Sequence, residues 1–443
     1  MTTSDLIIIG SGPGGYRAAV YAAQKGLSVT IFEESHAGGT CLNCGCIPTK
    51  TLLRNAEVAD MLRKSESYGF TGVDFGIDFS RVMARKREVV ESLRSGVETL
   101  LTHPGITFVK SHARMTSAHV VEASGKEYTA ANIIIATGSQ PKMLGIPGID
   151  DSRVLTSTQL LEVAEAPRRL CIVGAGVIGM EFASIFSSLG SEVTVLEYLK
   201  ECLPTLDSDI AKRLRQTISR RGVEFVMQSA VKEISPEGVV YERKGKTCVA
   251  EADAVLIATG RAPRTDGLGL ENAGISTGRQ GIVTDEHLET TVKGVYAIGD
   301  VNGRSMLAHS ATMQGLHVVN HILGEPDTIR LDIMPAAIFT HPEAGSVGMS
   351  EDQCKEAGME YICRKAFHRS NGKALAMGEP DGMVKLLADA GGRIIGCHAF
   401  GAHSSDMVQE VASLMAMGAT LPQLRDITHI HPTIGEMLQE AAM

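Results

Sequence analysis

Three cysteines crowd into six residues of the segment Gly38-Gly39-Thr40-Cys41-Leu42-Asn43-Cys44-Gly45-Cys46-Ile47-Pro48-Thr49-Lys50. Thiols this close can cycle as a dithiol and disulfide, hold a soft metal, or simply pack. Cys41 and Cys46 are five positions apart. In a regular helix their Cα atoms would stand ~8–9 Å apart, and a disulfide needs less than ~7 Å. A bridge between them requires an irregular turn, and Gly45 can supply one. A bridge from Cys44 to Cys46 would be severely strained, so Cys44 reads as a bystander. Pro48 suits a first helical turn, and Thr49 to Arg63 continues as helix. Cys46 then sits near a helix N-terminus, where the dipole favours a thiolate. Lys50 follows one turn later on the same face. Cys-x-x-Cys-x-Cys could also bind a metal, but no second Cys and His cluster matches it, and none is expected.

The other reactive stretch closes the chain: His429-Ile430-His431-Pro432-Thr433-Ile434-Gly435-Glu436. Pro432 forces His431 into extended backbone at a helix entrance. Thr433 and Glu436 have capping-box spacing, so one reading makes Glu436 a helix cap. The other makes it the carboxylate that orients an imidazole base. Thiolates are the nucleophiles of disulfide exchange, so a base beside a dithiol has chemistry to do. His429 is the neighbouring candidate.

These groups must be held by something, and the chain repeats a holder. Leu6 to Glu33 and Leu170 to Glu197 each run strand, glycine-rich loop, helix, strand and acid. The loops are Gly-x-Gly-x-x-Gly: Gly10, Gly12 and Gly15, with Gly14 between; then Gly174, Gly176 and Gly179, with Val177 and Ile178 between. The first glycine permits the tight turn, the second admits a pyrophosphate, and the third lets helix pack on strand. The helix N-terminus offers N–H groups to phosphates. Glu33 and Glu197 would accept from ribose hydroxyls. Two units predict two dinucleotides. Strand-like runs end in Ala136-Thr137-Gly138, in Ala258-Thr259-Gly260 before Arg261, and in Tyr296 to Asp300, where ligands sit in open α/β sheets.

Composition narrows the class. The 443 residues are 44% hydrophobic with 47 glycines, no tryptophan and a net charge of -9. That suits several α/β domains and leaves neither a basic tail nor aromatic platforms for nucleic acid. No apolar run approaches the ~18 residues of a membrane span, and the N-terminus lacks signal-peptide form. Nine cysteines, six of them scattered, read as one reactive site in a reducing, cytoplasmic setting rather than a disulfide framework. The predicted fold is α/β, with two Rossmann-like dinucleotide-binding domains and a C-terminal α+β domain. Its segments are residues 1–145, 146–265, 266–332 (returning to the first module) and 333–443. Val408, Val411, Ala412, Met415 and Ala416 form an apolar helical stripe that faces either a partner or its own strands.

Together the two fingerprints, the GGTC…GCIP…K segment, ATG, YAIGD and HIHPTIGE resemble the class I pyridine nucleotide-disulfide oxidoreductases over nearly the whole chain. The resemblance implies FAD on the first module, NAD on the second, and a homodimer formed by the C-terminal domain. It implies a Cys41–Cys46 disulfide, with Cys46 against the flavin and Cys41 exchanging with substrate. His431 would be the base, oriented by Glu436, and Glu181 would pair with Lys50. FAD would meet Gly39, Thr40, Glu33, Ala113, Asp300 and the run Met306-Leu307-Ala308-His309; NAD would meet Glu197, Val231, Gly260 and Arg261. The implied reaction oxidises the dihydrolipoyl group of a carrier protein, from a 2-oxo acid dehydrogenase or glycine cleavage system, and passes hydride to NAD. Reduction of another small disulfide or quinone by NADH is the alternative, and a flavin-binding scaffold or NAD sensor without turnover is a third. No arginine follows Glu197 to hold the extra phosphate of NADP. Cys44 and Gln314 depart from the family pattern, which usually has an apolar or basic residue and an acid there.

Overall fold

The computed structural model describes residues 2–443, which form two compact units. The first comprises Met1–Thr51, Met83–Lys142 and Gly260–Leu331. Its central strand, Thr2–Ile9, pairs in parallel with Val29–Glu33 on one side and Lys126–Ile135 on the other. Ile106–Lys110 extends one edge, and Val295–Ala297 pairs with Lys126–Ile135. Leu6 to Ile9 and Ile133 to Ile135 are buried without interruption, as strands covered on both faces must be. The crossover helix Pro13–Gln24 buries Ala18, Ala19, Ala22 and Ala23, small side chains that let it lie close.

The second unit comprises Leu52–Val82, Met143–Thr259 and Asp332–Met443. It repeats the parallel core: Arg169–Val173 lies between Glu192–Glu197 and Ala254–Ile257, with Val177–Ser188 as crossover helix. A three-stranded antiparallel sheet follows, Ala230–Ser235, Gly238–Arg243 and Lys246–Ala250. Val231, in its first strand, packs against the parallel core. The C-terminal sheet is antiparallel, with Ala336–Ile338, Ala344–Gly348, Ile394–Phe400, Met383–Asp389 and Tyr361–Phe367 in spatial order. The helix Ser404–Ala416 turns Val408, Val411, Ala412 and Met415 into this sheet's own core. The apolar stripe is therefore satisfied within its domain, and Ala416 lies outside it, exposed. Among the described residues no helix is long and apolar enough to cross a membrane.

One buried cation ties the second nucleotide module to the C-terminal sheet within this unit. Lys385, 1% exposed, donates to Asp207 at 2.6 Å and to Glu351 at 2.8 Å. Asp207 also caps the helix Ser208–Arg220 through the N–H groups of Asp209 and Ile210. Lys385 first, then Lys355, push the Glu351 carboxyl down to about 2. Removing one partner of such a set leaves a buried charge unpaired, at a cost of about 3–5 kcal/mol. Lys385→Leu should lower unfolding stability by that amount in urea titration at neutral pH. Because the Glu351 pKa is depressed on folding, its contribution is present above the ordinary carboxylate value and is lost as pH falls toward 2. The gap between wild type and Lys385→Leu should narrow across that acid range. A constant gap would contradict the ionic assignment.

Candidate active site

The cysteine segment folds as two helices meeting at a break. Cys41 and Cys44 lie in the helix Gly39–Cys44, and Cys46 opens the eighteen-residue helix Cys46–Arg63. Gly45 between them adopts φ −141°, ψ −107°. A Cβ there would stand 2.9 Å from the Thr40 carbonyl oxygen, so only glycine lets the chain fold back this tightly. The break does what a regular helix could not: it brings the Cys41 and Cys46 thiols into hydrogen-bond contact. Cys41 holds its proton well above the ordinary thiol value, first through the bond to Cys46 and then through burial, with the Lys50 charge acting the other way. Asn43 anchors the turn. Its Nδ2 donates to the carbonyls of Ala37 at 3.0 Å and Gly39 at 2.9 Å, and Arg94 Nε donates to its Oδ1 at 2.8 Å. Sequence reasoning missed Asn43 and Arg94, because Arg94 is fifty-one residues away.

The two dinucleotide loops are near copies. Gly10 and Gly174 have φ of +100° and +107°. A Cβ on Gly15 or Gly179 would lie 2.0 Å from the carbonyl oxygen of Gly10 or Gly174, while Gly12 and Gly176 face open space. That open side at the helix N-terminus is where a pyrophosphate fits. Glu33 accepts from Ser11 N–H at 3.0 Å and Ser11 Oγ at 2.8 Å; Glu197 accepts from Ala175 N–H at 2.6 Å and Leu199 N–H at 2.7 Å. Each acid thus braces its own loop. Gly14 serves helix packing: a Cβ there would stand 2.9 Å from the Ala311 carbonyl oxygen. Val177 and Ile178 open the second crossover helix.

The strand ends carry a polar relay in the first unit. Ser139 Oγ donates to Asp300 Oδ2, and Arg261 donates through Nε to Ser139 Oγ and through its terminal nitrogen to Ser139 O, both at 2.7 Å. Burial lowers the Arg261 pKa, with Asp300 opposing. Gln314 Oε1 accepts from Gly299 N–H at 2.8 Å and from Asn302 Nδ2 at 3.0 Å, fixing the turn that presents Asp300. An amide oxygen here does the accepting a carboxylate would do. Thr137 Oγ1 donates to Arg264 O at 2.8 Å. Gly138 and Gly260, at φ +73° and +121°, face open space. Ala113 is buried at the head of its strand. Leu307 caps the helix beginning at Ala308 and His309, and Met306 before it is exposed.

In the second unit, His431 Nδ1 lies 2.9 Å from Glu436 Oε1, and Thr433 N–H donates to Glu436 Oε2 at 2.8 Å. Glu436 orients the imidazole and does not act as the helix cap: the helix starts at Glu436 itself, after Gly435, and Thr433 Oγ1 donates to Ile430 O at 2.7 Å instead of closing a capping box. The Thr433 N–H first, and His431 second, hold the Glu436 carboxyl below its usual range. Donation from Nδ1 leaves Nε2 of His431 as the acceptor, on a side chain 81% exposed. His429 is engaged on both sides, by Glu410 Oε1 at 3.0 Å and Ile427 O at 3.1 Å. Glu181 is buried and accepts the Phe339 N–H at 3.0 Å. Among the described residues no group of three or more His, Cys, Asp or Glu could hold a metal ion.

Two dinucleotide-shaped loops, a facing cysteine pair and an oriented imidazole define an oxidoreductase that couples a disulfide to a nucleotide. The chain belongs to the pyridine nucleotide-disulphide oxidoreductases, whose family pattern it matches over residues 4–315, with the family's dimerisation domain over residues 334–442. It is 37% identical to the dihydrolipoyl dehydrogenase of Chlamydia muridarum over 446 residues, covering 99% of this chain and 96% of that one. It is 38% identical to the Bacillus subtilis dihydrolipoyl dehydrogenase over 451 residues, covering 99% and 96%. The solved structure of the HOCl-induced flavoprotein disulfide reductase RclA from Escherichia coli superposes with a TM-score of 0.88 at 32% identity, covering 99% of each chain.

The loops invite a paired test. Gly179→Ala drives a methyl into a backbone carbonyl and should cost about 1–3 kcal/mol of stability. Gly176→Ala meets open space and should cost about 1 kcal/mol or less, yet weaken nucleotide binding. Urea unfolding and fluorescence titration with NADH separate the two. Equal stability losses would contradict the assigned loop roles.

Proposed function

We propose that this chain is a dihydrolipoyl dehydrogenase, active as a homodimer in the cytoplasm with FAD and NAD bound. The observation that carries the reading is the His431–Glu436 pair, an oriented base in the same chain as a contacting Cys41–Cys46 dithiol. When bound, FAD supplies the two-electron relay between dithiol and NAD. The first loop, with Glu33 and Asp300, suits FAD, and the second, with Glu197, suits NAD.

The chain's own chemistry follows from thiol acidity. His431 takes the proton from one thiol of a dihydrolipoyl group on a carrier protein. The thiolate attacks Cys41 Sγ of the oxidised pair, forming a mixed disulfide, and Cys46 leaves as a thiolate favoured by the helix N-terminus and the nearby lysine. The second substrate thiol, giving up its proton to the departing Cys41 sulfur, attacks the substrate sulfur bound to Cys41. That closes the lipoyl disulfide and releases Cys41 reduced. In the opposite direction Cys41, whose proton is tightly held, needs the same base. Lys50 balances the thiolate charge, and Glu181 is its proposed counter-charge. The likeness to RclA favours a second reading, NADH-dependent reduction of another small disulfide or quinone.

Steady-state rates with dihydrolipoamide and NAD, against NADH with other disulfides and quinones, separate the readings; failure of dihydrolipoamide to reduce NAD would sink the first. Glu197 should also impose at least a tenfold preference in kcat/KM for NAD over NADP, about 1.4 kcal/mol, because its carboxylate would repel a 2′-phosphate. Comparable rates with both would contradict it.

The dimer carries a stricter expectation. If the C-terminal domain forms the two-fold interface, each site takes Cys41 and Cys46 from one chain and His431 from the other. Losing the base should cost about 10²–10⁴ in rate, so His431→Gln and Cys41→Ser homodimers should both be nearly dead. Subunit exchange between them should restore activity through one intact site. Mixed dimers that form and stay inactive would show that the site is not shared.

A further inference from the structure

Cys44 lies between Cys41 and Cys46, and the structure changes what it can do. The helix Gly39–Cys44 runs unbroken from Cys41 to Cys44. Residues three apart in a helix have Cα atoms about 5 Å apart on neighbouring faces, inside the ~4.4–6.8 Å range of disulfides. Cys-x-x-Cys on a helical turn is a redox pair in its own right. The break at Gly45 meanwhile puts Cys46 against the same Cys41. Cys41 is thus the shared member of two possible pairs. One runs along its helix and the other across the break. Cys44 is partly exposed rather than packed away like Cys171 or Cys397. The mostly buried Arg261 guanidinium, held by Ser139, acts electrostatically on both Cys44 and Cys46. The guanidinium is therefore near both the attacking and the leaving sulfur.

We propose that Cys44 is a third redox sulfur, and that the oxidised chain equilibrates between a Cys41–Cys46 and a Cys41–Cys44 disulfide. The step is an exchange without net oxidation. The Cys44 thiolate attacks Cys41 Sγ, the Cys41–Cys44 bond forms, and the Cys41–Cys46 bond breaks. Cys46 leaves with the electron pair, and the proton lost by Cys44 passes through solvent to Cys46. In the second isomer the exchange sulfur is tied up, so the chain is oxidised yet closed to substrate. Reversal by Cys46 reopens it. The device gives the enzyme a parked state that needs no additional oxidant. It rests on Cys41–Cys46 being the redox pair, and its test separates the two claims.

Oxidised holoenzyme is quenched in acid, denatured, blocked with N-ethylmaleimide at mildly acidic pH, digested, and fragmented in a mass spectrometer to place the label. A Cys41–Cys46 bridge leaves label on Cys44, and a Cys41–Cys44 bridge leaves it on Cys46. We expect label on Cys46 in at least about one chain in ten, and none there in Cys44→Val, whose turnover should stay within about twofold. A Cys46→Ser holoenzyme treated with diamide should lose both remaining thiols of the segment as an intramolecular disulfide, two mass units lighter. Label confined to Cys44 in the wild type overturns this proposal alone, as does a Cys46→Ser chain that keeps both thiols. Label on all three cysteines overturns it together with the Cys41–Cys46 pair.

Discussion

Both nucleotide modules depend on a contact that only glycine permits. In each, the third loop glycine lies so close to the first that a Cβ would come within 2.0 Å of its carbonyl oxygen. That approach seats the crossover helix against the central strand. It aims the helix N-terminus across the strand ends and leaves the middle glycine open on one side. The acid at the end of the second strand then closes each loop by accepting its backbone N–H. Relax the contact and the helix tilts away from the sheet. The loop N–H groups and the carboxylate that braces them would lose their register together.

Two sets of charges withdrawn from water are shared among several partners. Asp300, Ser139 and Arg261 form a chain in which one hydroxyl both donates and accepts. Lys385 divides its donors between Asp207 and Glu351. Desolvating an unpaired ion costs several kcal/mol, so these sets hold their segments in one arrangement. His431 is the contrast, because its partner Glu436 is bound at the surface. The ring is oriented but open to solvent.

Much of the fold was legible because it is written in local patterns. The strand-loop-helix-strand repeats, the Ala-Thr-Gly and YAIGD strand ends and the C-terminal helix all appear where their spacing predicts. The apolar stripe was ambiguous, since Val408 and Val411 look the same whether a partner or a home sheet covers them. The helix across Gly39–Cys44 was not anticipated either. A six-residue turn between glycines has little propensity of its own, and tertiary packing decides it.

The sequence by itself supplied the groups able to carry the chemistry: clustered thiols, an imidazole beside a carboxylate, and two loops shaped for dinucleotides. Glycine spacing and side-chain type carry those properties locally. Tertiary structure alone decided the rest. It turned Glu436 to His431 and the Thr433 N–H, engaged His429 with Glu410 and Ile427, and placed Ser139 between Arg261 and Asp300 across more than a hundred residues. It also folded the chain back at Gly45 so that Cys46 meets Cys41. Such choices depend on which donors and acceptors meet when distant strands pair, and on whether a Cβ fits at Gly45. No short window of sequence contains both sides of the Ser139 contacts.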